Sequence, residues 1–303
     1  MVSTAGRDFS RPAREFQLVA NLRPDYARVQ HQRDDSRSPD RLIAHYELER
    51  RLADRLRNAS PEDRPSVYMQ VYAEMFAALP DHPMQRAVDR DQTSTNTARR
   101  CRVVRRLLKP ESTYLEVGCG DASLPFAVAP YAGEVIGLDV TDSLIDHEAA
   151  PSNFRFLLAR ADKIDLPDNS VDLAHSDQLM EHLHVDDAAA QVREIHRVLK
   201  PGGCYLCITP SRVTGPHDIS VYFDKEATGF HMREYDYASI RQIFLATGFR
   251  EIRFPIVVKG NWLTNAPYAF LRSLELALLG LPKRLRETRI VGTVMGIRAL
   301  AIK

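Results

Sequence analysis

The sequence predicts an α/β fold, a doubly wound and mostly parallel sheet of seven strands that follows a small helical appendage. Two observations carry this prediction. From Ser112 onward, short apolar runs typical of buried strands alternate with helical patterns, as they do in a parallel sheet covered by helices on both faces. The first run, at residues 113–117, leads into the turn Gly118-Cys-Gly120, where backbone N–H groups can approach a ligand closely.

Strands and helices are expected in strict alternation through this part of the chain. The strands are predicted near residues 113–117, 134–139, 154–158, 171–175, 203–209, 249–258 and 296–302. The helices between them are predicted near residues 121–131, 142–148, 186–199, 236–247 and 266–279. The pair Gly202-Gly203 marks the end of one helix and the start of the fifth strand, because glycine commonly terminates helices.

Three segments of different character divide the chain. Residues 1–38 mix Arg, Asp, Ser and Pro without periodicity, which predicts a flexible or loosely docked arm. Residues 39–92 carry two apolar repeats of helical spacing and form the predicted appendage. Residues 93–303 then contain the sheet and its helices.

Proline and serine mark the ends of the helices in the appendage. The first helix is expected to begin at Ser38-Pro39, and the second runs from Pro65 to Pro80, which stops it. A further helical stripe over Thr97–Lys109 carries five arginines. These arginines could grip an anion, but a solvated outer face of a helix that packs on the sheet is the simpler expectation.

Composition limits the classes of partner. The 41 basic and 40 acidic side chains give a net charge of +1, so we expect no nucleic-acid partner. No apolar run approaches the roughly 20 residues of a membrane helix, and the first residues lack a secretory signal, so a cytoplasmic protein without a transmembrane segment is expected. The cysteines at 204 and 207 would point to opposite faces of a strand, which predicts core packing and no redox pair. The oligomeric state is left open.

Two carboxylates distinguish the glycine turn from a generic nucleotide motif. A dinucleotide-dependent oxidoreductase would need a third glycine where Ser123 stands. Glu116 instead suits a ligand with a cationic amino group. Asp139 ends the second strand twenty-one positions after Gly118, which is the spacing of an acid that binds ribose hydroxyls. An oxidoreductase is therefore the alternative, and a binding protein without turnover is another.

Four blocks in order make residues 95–303 resemble the class I S-adenosylmethionine-dependent methyltransferases. These blocks are Leu115-Glu-Val-Gly-Cys-Gly-Asp121, Ile136-Gly-Leu-Asp139, the run from Ala161 to Leu173, and Leu199-Lys-Pro-Gly-Gly203. Other segments, among them Gly215-Pro-His-Asp218, are similar to a bacterial subfamily with unassigned substrates. The resemblance implies a Rossmann-like sheet whose last strand is antiparallel, with S-adenosyl-L-methionine as the cofactor.

The resemblance also implies which residues hold that cofactor. The implied residues are Glu116, Gly118, Gly120, Asp139, Asp162 and Ser176. The first would hold the methionine end, the two glycines would line the cofactor, and Asp139 would bind the ribose hydroxyls. Asp162 would accept a hydrogen bond from the adenine amino group, and the segment around Ser176 would contact the methionine amine. The block departs from the family pattern at its third glycine position, which is Ala122.

The acceptor is expected to be a small molecule methylated at oxygen, and sugars, lipids and secondary metabolites all remain open. A positioned base would help remove the hydroxyl proton. His217, beside Asp218 in a loop after the fifth strand, is the first candidate, and His184 is the second. No metal site is predicted, because residues two apart on a helix, such as His182 and His184, do not share a face.

Overall fold

The computed structural model describes residues 21–80, 90–159 and 163–303. Its strands are β1 (Thr113–Val117), β2 (Glu134–Asp139), β3 (Phe154–Leu158), β4 (Val171–Asp177), β5 (Leu199–Thr209), β6 (Glu251–Val258), β7 (Asn261–Ala266) and β8 (Ile297–Ile302). They form one sheet in the order β3-β2-β1-β4-β5-β8-β6-β7. The first five strands are parallel to one another, and β8 is antiparallel to both β5 and β6. The α/β fold with an antiparallel last strand is therefore confirmed.

Helices flank this sheet and precede it. They are α1 (Tyr26–Arg33), α2 (Pro39–Arg57), α3 (Arg64–Ala78), α4 (Arg90–Val104), α5 (Ser123–Val128), α6 (Val185–Val198), α7 (Tyr237–Ala246), α8 (Tyr268–Leu279), α9 (Lys283–Arg286) and α10 (Arg289–Met295). Across the residues that the structure describes, none of the helices is both long and apolar enough to cross a membrane.

In the described residues the sheet has eight strands, so the predicted number of seven is wrong by one. The extra strand is β7, which pairs with β6 through the register Val258↔Asn261. Between them, Lys259 and Gly260 both have positive φ angles, 50° and 80°. This is the backbone of a two-residue hairpin turn whose twist matches that of the flanking strands.

The helix predicted near residues 142–148 is also wrong, because this segment forms turns. The Thr141 hydroxyl accepts a hydrogen bond from the Ser143 N–H (3.2 Å), and Asp146 Oδ1 accepts one from the Glu148 N–H (3.1 Å). Such short-range bonds from side chains compete with helical backbone bonds and favour turns.

Alternation along the strands sorts the core onto the two faces of the sheet. Leu115 and Val117 of β1 join a buried cluster that includes residues of α6 and α7. Tyr114, on the opposite face, joins a second cluster with Val104 of α4 and Leu124 of α5. Because side chains of a strand alternate between faces, this two-sided burial requires the near-continuous apolar runs that the sequence shows.

The appendage packs on the main domain through α2. Its N-terminus is capped by Ser38, whose hydroxyl accepts the Arg41 N–H (3.3 Å), as expected. Arg57 at its other end donates to the carbonyl oxygens of Thr228 (2.9 Å) and Gly229 (2.7 Å). The division of the chain at residues 38 and 92 stays a prediction.

The described part of the predicted arm is residues 21–38, and it contains α1. Val29 of this helix is buried with residues of α2 and of the 3₁₀ turn Ile219–Tyr222. Just before the helix, the Arg23 guanidinium donates to the Glu287 carboxylate (2.8 Å). This part of the arm is thus held against the main domain by apolar packing and by an ion pair.

Candidate functional site

The glycine turn after β1 presents open backbone at the carboxyl edge of the sheet. Gly118 and Gly120 have φ angles of 75° and 55°, a region that favours glycine. A Cβ on Gly120 would meet no atom of the described residues within 4 Å, so space lies beside this backbone. A Cβ on Gly118 would lie 3.1 Å from Leu179 Cδ1, which places the segment after β4 against the turn. Ala122 takes the left-handed conformation (φ 58°) where the family pattern has its third glycine.

Asp139, the last residue of β2, is bonded directly to this turn. Its Oδ2 accepts the Gly120 N–H (2.8 Å), and its Oδ1 accepts the Val140 N–H (2.7 Å). Burial raises the pKa of Asp139, and these backbone hydrogen bonds act in the opposite direction. Each carboxylate oxygen can accept a second hydrogen bond, so the group can hold the turn and bind two ligand hydroxyls together.

Glu116 lies next to the turn and is already paired. The side chain is 2% exposed, and its Oε1 lies 3.2 Å from Arg100 Nη2 and 3.3 Å from His175 Nδ1. The Tyr114 hydroxyl donates to Oε2 (3.2 Å). Arg100 continues to Asp177, with 2.8 Å between Nε and Oδ2, so one guanidinium joins the ends of β1 and β4. Although burial acts to lower it, the pKa of Arg100 is raised by Asp177 and Glu116.

Ser176 points away from this group. It is fully buried, and its hydroxyl is 2.7 Å from the Tyr205 hydroxyl. In the pairing of β1 with β4, Glu116 lies opposite His175, so these two side chains share one face of the sheet. Asp177 is two residues after His175 and therefore points to the same face, because side chains alternate along a strand. Sequence reasoning missed both Arg100 and Asp177, although strand alternation would have pointed to Asp177. Asp162 lies outside the described residues.

His217 lies between two cavities, and its bonds determine its tautomer. Its Nε2 is 3.1 Å from the Ser211 carbonyl oxygen. A carbonyl oxygen only accepts, so Nε2 carries the proton and the lone pair lies on Nδ1. Burial lowers the pKa of His217 below its ordinary value, although Glu234 acts to raise it, and the ring is neutral at pH 7.

The first of these cavities, which we call the acceptor cavity, has a volume of about 360 Å³. Its wall combines residues of the appendage with residues of the loops after β4 and β5. Among them are His45, Glu49, Tyr72, Met75, His182, His217, Asp218, Phe230 and His231. Burial, reinforced by the nearby Glu49 carboxylate, raises the pKa of Asp218. The cavity wall therefore contains both ionisable and aromatic side chains.

His184 has a different surrounding. It is the N-cap of α6, and its Nδ1 accepts the Asp186 N–H (3.3 Å). Its own backbone N–H donates to the Tyr68 hydroxyl. Within the described chain, His184 is not among the residues that line either cavity beside His217. The structure thus brings Gly120 and Asp139 together at the glycine turn, while His184 serves as the cap of α6.

Comparison with known proteins agrees with this geometry. Residues 115–207 match the family described as a methyltransferase domain. A probable S-adenosylmethionine-dependent methyltransferase of Mycolicibacterium smegmatis is 35% identical over 136 residues, which cover 45% of this chain and 51% of that protein. One of Mycobacterium tuberculosis is 32% identical over 158 residues, covering 51% of this chain and 56% of that protein.

A relative whose name gives its substrate matches a smaller share of this chain. The demethylmenaquinone methyltransferase of Staphylococcus carnosus is 34% identical over 117 residues, which cover 36% of this chain and 47% of that protein. The chain spans about half the length of the curated relatives that it matches. The family match contains the glycine turn, Asp139 and the strands β2 to β4. Residues 115–207 therefore match a methyltransferase domain, and the M. smegmatis and M. tuberculosis relatives of this segment are probable S-adenosylmethionine-dependent methyltransferases.

Proposed function

We propose that this protein transfers a methyl group from S-adenosyl-L-methionine to a hydroxyl oxygen of a small molecule held in the acceptor cavity. The observation that carries the proposal is the position of His217. This neutral histidine has its lone pair on Nδ1, and it lines the cavity in a loop that follows β5. Ligand loops of such sheets gather at the carboxyl ends of the strands, where the glycine turn also lies.

The residues around the turn fit the cofactor. The open space beside Gly120 and the spare acceptor capacity of Asp139 suit a nucleoside with ribose hydroxyls. Glu116 would attract the methionine end, with Asp177 offering a second carboxylate one residue after Ser176. We keep Asp162 as the proposed partner of the adenine amino group. When bound, S-adenosyl-L-methionine supplies the electrophilic methyl group.

His217 would act as the general base. An acceptor hydroxyl must lose its proton near the transition state, and Nδ1 of a neutral imidazole can take it. The Glu234 carboxylate accepts the His217 backbone N–H (2.6 Å), which holds the loop in place. His184 stays the second candidate, although it would have to leave its capping position to reach the cavity.

The acceptor class is proposed from the cavity wall. The wall contains the stacked rings of Tyr72 and Phe230, with centroids 5.1 Å apart, and the polar side chains of Asp218 and His217. A sugar, a lipid with a hydroxylated head or an aromatic secondary metabolite would each match part of this wall. The demethylmenaquinone enzyme among the relatives supports a small-molecule acceptor.

The proposal is tested with the purified full-length protein, S-adenosyl-L-methionine and a panel of hydroxylated sugars, lipids and phenols. Mass spectrometry should detect an O-methylated product in amounts equal to the S-adenosylhomocysteine formed. Cofactor binding without a methylated product from any acceptor class would favour a binding protein. A rise in melting temperature with nicotinamide dinucleotides, and none with S-adenosylhomocysteine, would favour an oxidoreductase.

A further inference from the structure

Two histidines of the acceptor-cavity wall, His182 and His231, meet a fully buried glutamate, Glu181. Ligand atoms of Glu181, His182 and His231 all lie within 4.8 Å of one another. The first two belong to the 3₁₀ turn Met180–His182 after β4, and His231 comes from the segment before α7. The rings of the two histidines meet edge to face, with centroids 4.8 Å apart. The backbone thus brings together residues that are 49 positions apart in the sequence.

Glu181 offers a buried oxygen. Its Oε2 accepts the Thr209 hydroxyl (2.9 Å). Its Oε1 is buried and has no hydrogen-bond partner among residues 21–80, 90–159 and 163–303. Nearly all buried polar atoms in proteins have a partner, and one that lacks it is costly, so this oxygen requires an explanation. A bound cation would supply one.

Both histidines are oriented by a bond through Nδ1. The Nδ1 of His182 is 3.1 Å from the Phe230 carbonyl oxygen, and that of His231 is 2.8 Å from Glu234 Oε1. Carbonyl and carboxylate oxygens accept, so each Nδ1 carries a proton and an ion would be bound through Nε2. Although burial acts to lower it, the pKa of His231 is raised to about 9 by Glu234 and Asp218, so an ion bound there would displace the proton from its Nε2. Histidines that bind metals typically donate their other N–H to such an oxygen, which fixes the tautomer and the ring orientation.

We infer that Glu181, His182 and His231 bind one divalent transition-metal ion. Two imidazoles and a carboxylate form a donor set that suits Zn²⁺ and similar ions better than Mg²⁺, which prefers oxygen ligands. The carboxylates of Glu234 and Asp218 lie beside the set, since Asp218 Oδ2 accepts the His231 backbone N–H (3.3 Å). These neighbours lower the electrostatic cost of placing a dication there.

The sequence did not indicate this combination. His182 and His184 are close in the sequence, but His184 is hydrogen-bonded to Asp186 and His217 is hydrogen-bonded to Ser211. The third ligand of the proposed site is instead Glu181, which directly precedes His182. An ion held there would face the acceptor cavity and could bind the acceptor oxygen. This last step rests on the proposed function, whereas binding of the ion does not.

The test is calorimetric titration of the chelator-treated, full-length protein with ZnCl₂, and separately with MgCl₂. We expect one Zn²⁺ per chain and much weaker Mg²⁺ binding. His182→Ala and Glu181→Gln should each weaken Zn²⁺ binding about tenfold or more. The matched control is His147→Ala, because His147 is 55% exposed and pairs only with the exposed Asp142 among the described residues. This variant should keep the affinity for Zn²⁺ within about twofold.

Two results would overturn the inference. One is the absence of Zn²⁺ binding by the wild-type protein, and the other is equal affinity in the wild type, His182→Ala and Glu181→Gln. Glu181→Gln preserves the shape of the side chain. If His182→Ala does not fold, the Zn²⁺ affinity of Glu181→Gln therefore still tests the inference. Titration of the same samples with S-adenosylhomocysteine separates the two proposals, because loss of the metal site should leave cofactor affinity unchanged.

Discussion

Asp139→Ala removes the carboxylate that joins the glycine turn to the end of β2. In the protein this carboxylate accepts the N–H groups of Gly120 (2.8 Å) and Val140 (2.7 Å). Hydrogen bonds to a charged acceptor contribute about 1.5 to 3 kcal/mol each. Asp139 is only half-buried, so water replaces part of what alanine loses. We therefore expect the free energy of unfolding to fall by about 1 to 2 kcal/mol.

The effect on cofactor affinity follows from the remaining lone pairs. Each oxygen of Asp139 can accept a ribose hydroxyl while it holds the turn. Loss of one charge-assisted bond, at about 1.5 to 3 kcal/mol, corresponds to a loss of roughly 10-fold to 150-fold in affinity. Asp139→Asn should lie between alanine and the wild type. Its amide keeps one acceptor oxygen but turns an NH₂ group toward one of the two N–H donors.

The assay is calorimetric titration with S-adenosylhomocysteine, paired with thermal melts that confirm folding. Asp142→Asn is the control, because it removes an exposed carboxylate three residues further on that pairs with His147. Burial raises the pKa of Asp139, so protonation begins above its ordinary pKa as the pH falls. Affinity should therefore decline toward acid pH in the wild type and stay flat in Asp139→Ala. A folded Asp139→Ala protein that binds within twofold of the wild type would refute the assigned role.

Two further predictions concern the proposed base and the packing behind the turn. His217→Asn should lower kcat by about 10² to 10⁴ and leave S-adenosylhomocysteine affinity unchanged. Because burial lowers the pKa of His217, the wild-type rate should decline only below about pH 6.5, and an unchanged rate in the variant would exclude it as the base. In Gly137→Ala, the new Cβ would lie 2.9 Å from Cys119 Sγ and 3.0 Å from Phe154 Cε2, so overpacking should cost about 1 to 3 kcal/mol in urea unfolding. Gly292→Ala, where no described atom lies within 4 Å, should be nearly neutral, and equal stability of both variants would contradict the packing argument.

The sequence predicts best those strands whose first and last residues are marked by a change between polar and apolar residues. β1 and β2 begin and end at the predicted residues, since a continuous apolar run bounded by polar residues is typical of a buried parallel strand. β7 was missed because its turn is Lys259-Gly260, and lysine is not a usual signal for positive φ. A single non-glycine residue in the left-handed region cannot be anticipated from composition.

The arrangement of the proposed cofactor residues at the glycine turn could be predicted for a similar reason. Gly118, Gly120 and Asp139 are arranged by one turn and two adjacent strands, so their spacing along the chain carries their geometry. Arg100 is different. It reaches Glu116 and Asp177 from α4, and this contact depends on how a helix docks on the sheet. Arg100 belongs to the arginine-rich helix face that was predicted to be exposed to solvent, yet it forms ion pairs with Glu116 and Asp177.

Side chains of α2 and α3 make the appendage part of the wall of the acceptor cavity. Glu49 of α2 accepts the Phe230 N–H (2.9 Å), and Arg57 holds the two carbonyl groups just before it. Gly229 permits this approach, because a Cβ there would lie 2.6 Å from Glu49 Oε1 and 2.8 Å from Asp218 Oδ2. Residues 49 and 230 meet only in the folded chain. Because α2 holds the segment that leads to His231, we expect changes in the appendage to alter the acceptor cavity.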